Sequence, residues 1–183
     1  MSQTRKISRT GAKWQTPRYK RDWRDICALL PAYLEDGTNG TMVTYLDDTD
    51  EAVPYRLQWV LDDLLLFLGT SRDLLTKRSR AYLGKQAKRV PLLASKDFCL
   101  VPVKGREAIG TYDSVGGYVV LGYVEDVIPD GAANRVYFTN GKYLTVYDST
   151  RTLWANLNLT KELKAKFEEE LQWPSTQLQS PVA

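Results

Sequence analysis

The chain has 183 residues, 43% of them hydrophobic and 26% charged, which excludes general disorder and fits one domain better than two. It contains no histidine, which removes the commonest general base, most zinc sites and every triad that needs imidazole. The net charge of +3 hides an asymmetry: residues 1–24 carry +7, residues 72–89 carry +6, and the rest of the chain carries −10.

Residues 1–24 are polar and basic with no apolar period, so they read as a flexible arm. Trp14 and Tyr19 are interleaved there with Arg18, Lys20 and Arg21. From Asp25 the pattern changes to short β-like runs between turn signals. Residues 26–31 predict a first strand. Residues 41–46 alternate Met42, Thr44 and Leu46 against Val43 and Tyr45 and predict a second. An acidic turn follows at 47–51. Residues 55–61 alternate Tyr55, Leu57 and Trp59 against Arg56, Gln58 and Val60, which predicts a third strand. The apolar run 64–69 reads as a short buried strand or a helical turn.

A basic helix is expected next. Ser71 can cap it, Asp73 meets its positive end, and Gly84 stops it. Between residues 74 and 93 stand Lys77, Arg78, Arg80, Lys85, Lys88 and Arg89 without one acidic residue. Like charges this close repel unless solvent or a polyanion screens them. The helix lacks a clean apolar stripe, so much of its surface must meet water or a ligand.

Strands resume at 97–103 and 116–128. Residues 134–148 hold Asn140-Gly141 between two β-rich runs, the pattern of a two-residue hairpin loop that pairs Phe138 with Tyr143 and Tyr137 with Leu144. Residues 149–173 read as one or two helices, with Thr160 as a cap and Leu159, Leu163, Phe167 and Leu171 at spacing four. Residues 174–183 read as a disordered tail. The expected fold class is α+β: mainly antiparallel sheet, open or barrel-like, with a central basic helix and C-terminal helices. The expected organisation is an arm (1–24), a single folded domain (25–173) and a tail (174–183).

Two basic blocks on an acidic body form an electrostatic footprint for a polyanion. The candidate nucleic-acid-binding residues are Arg72, Lys77, Arg78, Arg80, Lys85, Lys88 and Arg89 in the block, with Arg18, Lys20 and Arg21 in the arm. An RNA-binding module is the alternative, with Tyr137, Phe138 and Tyr143 stacking on bases. An enzyme would have to use carboxylates such as Asp47/Asp48 or Asp62/Asp63, and adjacent aspartates in turns are ordinarily just solvated. No phosphate loop, GxGxxG or GxSxG motif is present, so neither catalysis nor a cofactor is expected. No apolar run approaches the roughly 20 residues that cross a bilayer, and no apolar leader opens the chain. Cys27 and Cys99 sit in apolar runs and read as buried free thiols. A cytoplasmic protein is expected.

Four segments, in order, carry a family resemblance: "FLGTSRDLLTKRSRAYLGKQAKRVPLL", "DFCLVPVKG", "VVLGYVEDV" and "VYFTNGKYLTVYDSTRTLWANLNLTKELKAKF". Together they cover roughly residues 26–170, and the strand, Asn-Gly-Lys turn, return strand and helix of the last are the most specific. In these segments the chain resembles the bacterial competence transcription factors of the ComK family. The resemblance implies a cytoplasmic, nucleoid-associated activator of DNA-uptake genes. It implies binding to double-stranded DNA at paired AT-rich boxes, largely through the minor groove, as homodimers that combine into tetramers and work with RNA polymerase. It also implies an adaptor that hands members to a protease. The tail lacks the aromatic-aliphatic-proline-lysine segment that goes with that capture. Val120-Leu121 stands where the family has tryptophan and a hydrophobe. Composition and spacing do not separate DNA from RNA; that step rests on the resemblance.

Overall fold

β1 (Ile26–Tyr33) and β2 (Asn39–Tyr45) form an antiparallel hairpin, and β3 (Asp50–Val53) returns along the outer edge of β2. The computed structural model that shows this describes residues 22–84, 89–111 and 113–172; the expected arm up to residue 21 and the tail lie outside them. Two helices follow, α1 (Leu57–Phe67) and α2 (Arg72–Leu83). The chain then lays down β4 (Leu92–Leu93), β5 (Cys99–Lys104) and β6 (Gly116–Val120). These complete a six-stranded sheet in the order β3-β2-β1-β6-β5-β4. A second sheet of three strands contains β7 (Val124–Asp130), β8 (Ala133–Phe138) and β9 (Tyr143–Val146), and α3 (Thr150–Gln172) closes the described chain. Every paired strand is antiparallel. The class is α+β, with two open sheets and no closed barrel among the described residues.

The larger sheet is covered on both faces. Ile26, Leu29, Leu100 and Val120 point to one side, where Leu57, Val60, Leu61, Leu64 and Leu65 of α1 and Leu75 of α2 bury them. Cys27, Ala28, Val101, Val103 and Val119 point to the other side, against Val136, Phe138 and Val146 of the small sheet and Leu153 and Leu157 of α3. Both cysteines are buried free thiols, and burial pushes Cys27 up to about 12 and Cys99 to about 11. Among the described residues no helix is long and apolar enough to cross a membrane.

The structure corrects several expectations. The third strand at 55–61 and the apolar run at 64–69 are together the helix α1. Its buried residues Leu57, Val60, Leu61, Leu64 and Leu65 follow the 3.6-residue period, and the alternation at 55–60 is a short coincidence within it. Part of the acidic turn is strand β3. Residues 116–128 are two strands in different sheets, joined by a 3-10 turn at Leu121–Tyr123. The hairpin is shifted by one residue. Tyr137 pairs with Tyr143 and Val136 with Leu144. Phe138 N–H donates to Lys142 C=O at 2.8 Å, and Gly141 takes φ +82°. The loop therefore has three residues, with glycine in the left-handed position that such loops favour. The C-terminal segment is one helix. Ser149 caps it through the Thr152 N–H at 3.2 Å, while Thr160 sits inside it and donates to the Asn156 carbonyl at 2.7 Å.

Leu64 and Leu66 would share a face on a strand but lie on opposite sides of α1, Leu64 buried and Leu66 exposed. Leu64→Ala is therefore expected to cost about 2–5 kcal/mol in urea unfolding, and Leu66→Ala within about 0.5 kcal/mol. Equal costs would favour the strand.

Candidate nucleic-acid interface

α1 and α2 form a helix-turn-helix unit built from local signals. At the end of α1 the Thr70 N–H donates to Leu65 C=O and the Gly69 N–H to Leu66 C=O. Gly69 takes φ +75°, and four residues join the two helices. Ser71 then caps α2 by accepting the Leu74 N–H at 3.3 Å, and Gly84 ends it in the left-handed conformation. Gln58, Trp59 and Asp62 of α1 face water, so the helix pair is amphipathic as a unit.

Leu75 and Ser79 anchor α2. Leu75 joins the core, and the Ser79 hydroxyl donates to the Pro91 carbonyl at 2.6 Å. Turned outward are Asp73, Leu74, Lys77, Arg80 and Ala81. They recur three and four residues apart, so they form one continuous exposed stripe. Leu74 is 60% exposed although it is a leucine.

Five of the ten candidate residues are described, and the fold separates them. Lys77 and Arg80 share the outward stripe, and Lys77 pairs with Asp73 at 2.9 Å. Arg78 turns away and lays its guanidinium 3.7 Å from the centre of the Phe167 ring on α3. Arg72 pairs with Asp62 of α1 at 3.3 Å. Arg89 reaches back to the sheet, donating to the Val103 carbonyl at 2.9 Å and facing Asp148 at 3.5 Å. Lys85, Lys88, Arg18, Lys20 and Arg21 lie outside the described residues. The charge run is therefore divided: Lys77 and Arg80 lie on the exposed stripe, while Arg72, Arg78 and Arg89 turn toward Asp62, Phe167 and Asp148.

The aromatic face of the small sheet is less complete than its composition suggests. Phe138 is fully buried. Tyr137 and Tyr143 approach with ring centres 5.2 Å apart, and Arg135 lies 4.8 Å over Tyr143. Asp126 stands directly opposite Tyr137, and Asp130 pairs with Arg135 at 2.9 Å. The paired aspartates are also occupied. Asp47 accepts from Thr49, Asp48 pairs with Lys142, and Asp62 pairs with Arg72.

Sequence reasoning missed α1, without which α2 is only a basic helix. The signals were present: buried positions at i, i+3, i+4, i+7 and i+8, followed by Gly69 and Ser71 as stop and start. No family model, curated protein or solved structure matches the chain.

These placements order the arginines by structural cost. Arg89→Ala leaves the Asp148 side chain, 2% exposed, without its cation, and is expected to cost about 1–3 kcal/mol. Arg78→Ala removes the packing on Phe167, about 1 kcal/mol. Lys77→Ala removes an exposed pair and stays within about 0.5 kcal/mol. Urea unfolding of the three variants checks the order, and an equal cost at all three positions would refute it.

Proposed function

We propose that the protein is a transcription regulator that binds double-stranded DNA through α2. The observation that carries this reading is the helix-turn-helix unit whose second helix turns Leu74, Lys77, Arg80 and Ala81 to solvent. A major groove about 12 Å wide admits a whole helix, whereas a minor groove of about 6 Å does not. Lys77 and Arg80 suit phosphates and base edges, and Leu74 and Ala81 suit thymine methyl groups, which fits an AT-rich site. Minor-groove contacts of the kind the resemblance implies are then left to groups other than α2; the candidates Lys85, Lys88, Arg18, Lys20 and Arg21 lie outside the described residues.

The setting, activation of DNA-uptake genes together with RNA polymerase in a cytoplasmic nucleoid, rests on the resemblance. Self-association on DNA has a support of its own. Trp59, Leu66 and Phe67 of α1 are each about half exposed, and large apolar side chains grouped outside a core mark interaction surfaces. RNA binding by the small sheet is the weaker reading, because Asp126 and Asp130 flank its tyrosines and repel a polyanion.

Fluorescence anisotropy with an AT-rich duplex, a GC-rich duplex and an RNA hairpin tests the proposal. The AT-rich duplex is expected to bind tightest. The logarithm of the binding constant should fall with the logarithm of salt at a slope of about −5 for on the order of six phosphates neutralised. Joint replacement of Lys77 and Arg80 by alanine should weaken binding about tenfold or more and leave the urea midpoint in place. It should also make the slope shallower by about one unit for each phosphate no longer neutralised. Preference for the RNA, or a double variant that binds normally, would overturn the reading.

A further inference from the structure

Behind the helix pair, on the side away from the exposed stripe, lies a cleft of about 450 Å³. One wall is helical, with Leu57, Gln58 and Leu61 of α1 and Arg72 and Thr76 of α2. The other wall belongs to the sheet, with Arg89, Val90, Leu92 and residues 114–118. The size falls within the range of small-molecule sites. Its chemistry is one-sided: two guanidiniums and a phenol line it, and no carboxylate does. Asp62 and Asp148, which pair with the two arginines, lie outside the lining.

The donors are only partly used. Arg72 turns Nε and Nη2 to Asp62, which leaves Nη1 without a partner among the described residues. Arg89 spends Nη1 on the Val103 carbonyl and sets Nη2 near Asp148, leaving Nε. The Tyr118 hydroxyl accepts and donates no hydrogen bond to any described residue, although its side chain packs against the core. Burial pushes this phenol above its ordinary value while Arg72 and Arg89 pull it down, so it stays protonated near neutral pH and can donate to an anion. Behind the polar groups the floor is apolar, formed by the buried Leu57, Leu61, Val90 and Leu92. Gly116 keeps the sheet wall low: a Cβ there would stand 3.6 Å from the Arg89 side chain.

We infer that this cleft is a binding site for a small organic anion, with a phosphate or carboxylate held by Arg72, Arg89 and Tyr118 and an apolar body resting on Leu57, Leu61 and Leu92. Guanidiniums that line one cleft with donors to spare can recognise such groups, and hydrogen bonds to a charged partner are the strong ones. The apolar floor distinguishes this ligand from a duplex phosphate, whose sugar would leave the floor uncovered. The site lies between the helix-turn-helix unit and the sheet, so its occupant would bridge the two. The inference does not rest on DNA binding and survives if that reading fails.

Phenyl phosphate is a suitable probe, with inorganic phosphate as the head group alone and phenol as the body alone. Isothermal titration of the full chain is expected to show one saturable site for phenyl phosphate, tighter than for either fragment. Arg72→Gln should weaken it about tenfold or more, and Tyr118→Phe about three- to tenfold. Lys161→Gln, on the exposed side of α3, should leave it unchanged. Arg89→Gln disturbs the buried Asp148 and is replaced by the other two variants for this purpose. The inference is overturned if phenyl phosphate shows no saturable binding up to about 10 mM, a range in which even a weak −3 kcal/mol interaction registers. It is equally overturned if inorganic phosphate binds as tightly, or if Lys161→Gln weakens binding as much as Arg72→Gln does.

Discussion

The six-stranded sheet must be dry on both faces, and the rest of the architecture answers that demand. β5 runs Cys99, Leu100, Val101, Pro102 and Val103 without one exposed residue, and β1 begins with four buried residues in succession. Strands of this kind have no polar face to give to water. One side is closed by α1 and α2, the other by the small sheet and α3. The helix pair is therefore held in place by the core beneath it. A surface presented by α2 inherits that rigidity, because Leu75 and Ser79 fix the helix to the sheet while the opposite stripe remains open. Asn156 performs a similar task on the far side, donating to the Pro102 carbonyl at 2.9 Å and tying α3 to β5.

The elements legible in the sequence are those whose signals are local. Ser71 and Gly84 bound α2 because a side-chain cap and a left-handed stop act within one turn. β1, β2 and β5 declare themselves as short apolar runs between turn residues. α1 did not, because two periods overlap in it: residues 55–60 alternate like a strand before the spacing of Leu57, Val60, Leu61, Leu64 and Leu65 becomes decisive. The hairpin failed by one residue for a different reason. Asn-Gly fits both a two-residue loop and a three-residue loop with glycine at its left-handed position. The choice between them is made by which face of β8 must be buried, and that depends on α3 and the larger sheet.

The charge pattern was legible as a count but not as a surface. Seven basic side chains within residues 72–89 look like a single patch when written in a line. α2 distributes the four it carries, Arg72, Lys77, Arg78 and Arg80, around its circumference, and the fold brings Asp62 to Arg72, Phe167 to Arg78 and Asp148 to Arg89. These partners come from α1, α3 and the segment after β9, at separations no local rule can span. The same distribution creates a site that reading in sequence could not show, since Arg72 and Arg89 converge on Tyr118 from different elements.

The sheet margins restrict how copies of this protein can meet. β3, on one edge of the larger sheet, is four residues long and opens with Asp50 and Glu51, and β4, on the other, is two residues long. In the small sheet the edge strand β7 carries Pro129, which has no N–H to offer, and β9 is only four residues long. Short, acidic or proline-bearing margins are poor templates for an added strand. Fibre-like growth by strand addition is thereby discouraged at every border. Any symmetric pairing of two copies is steered toward side-chain packing, where the two-fold axis fixes both register and stoichiometry.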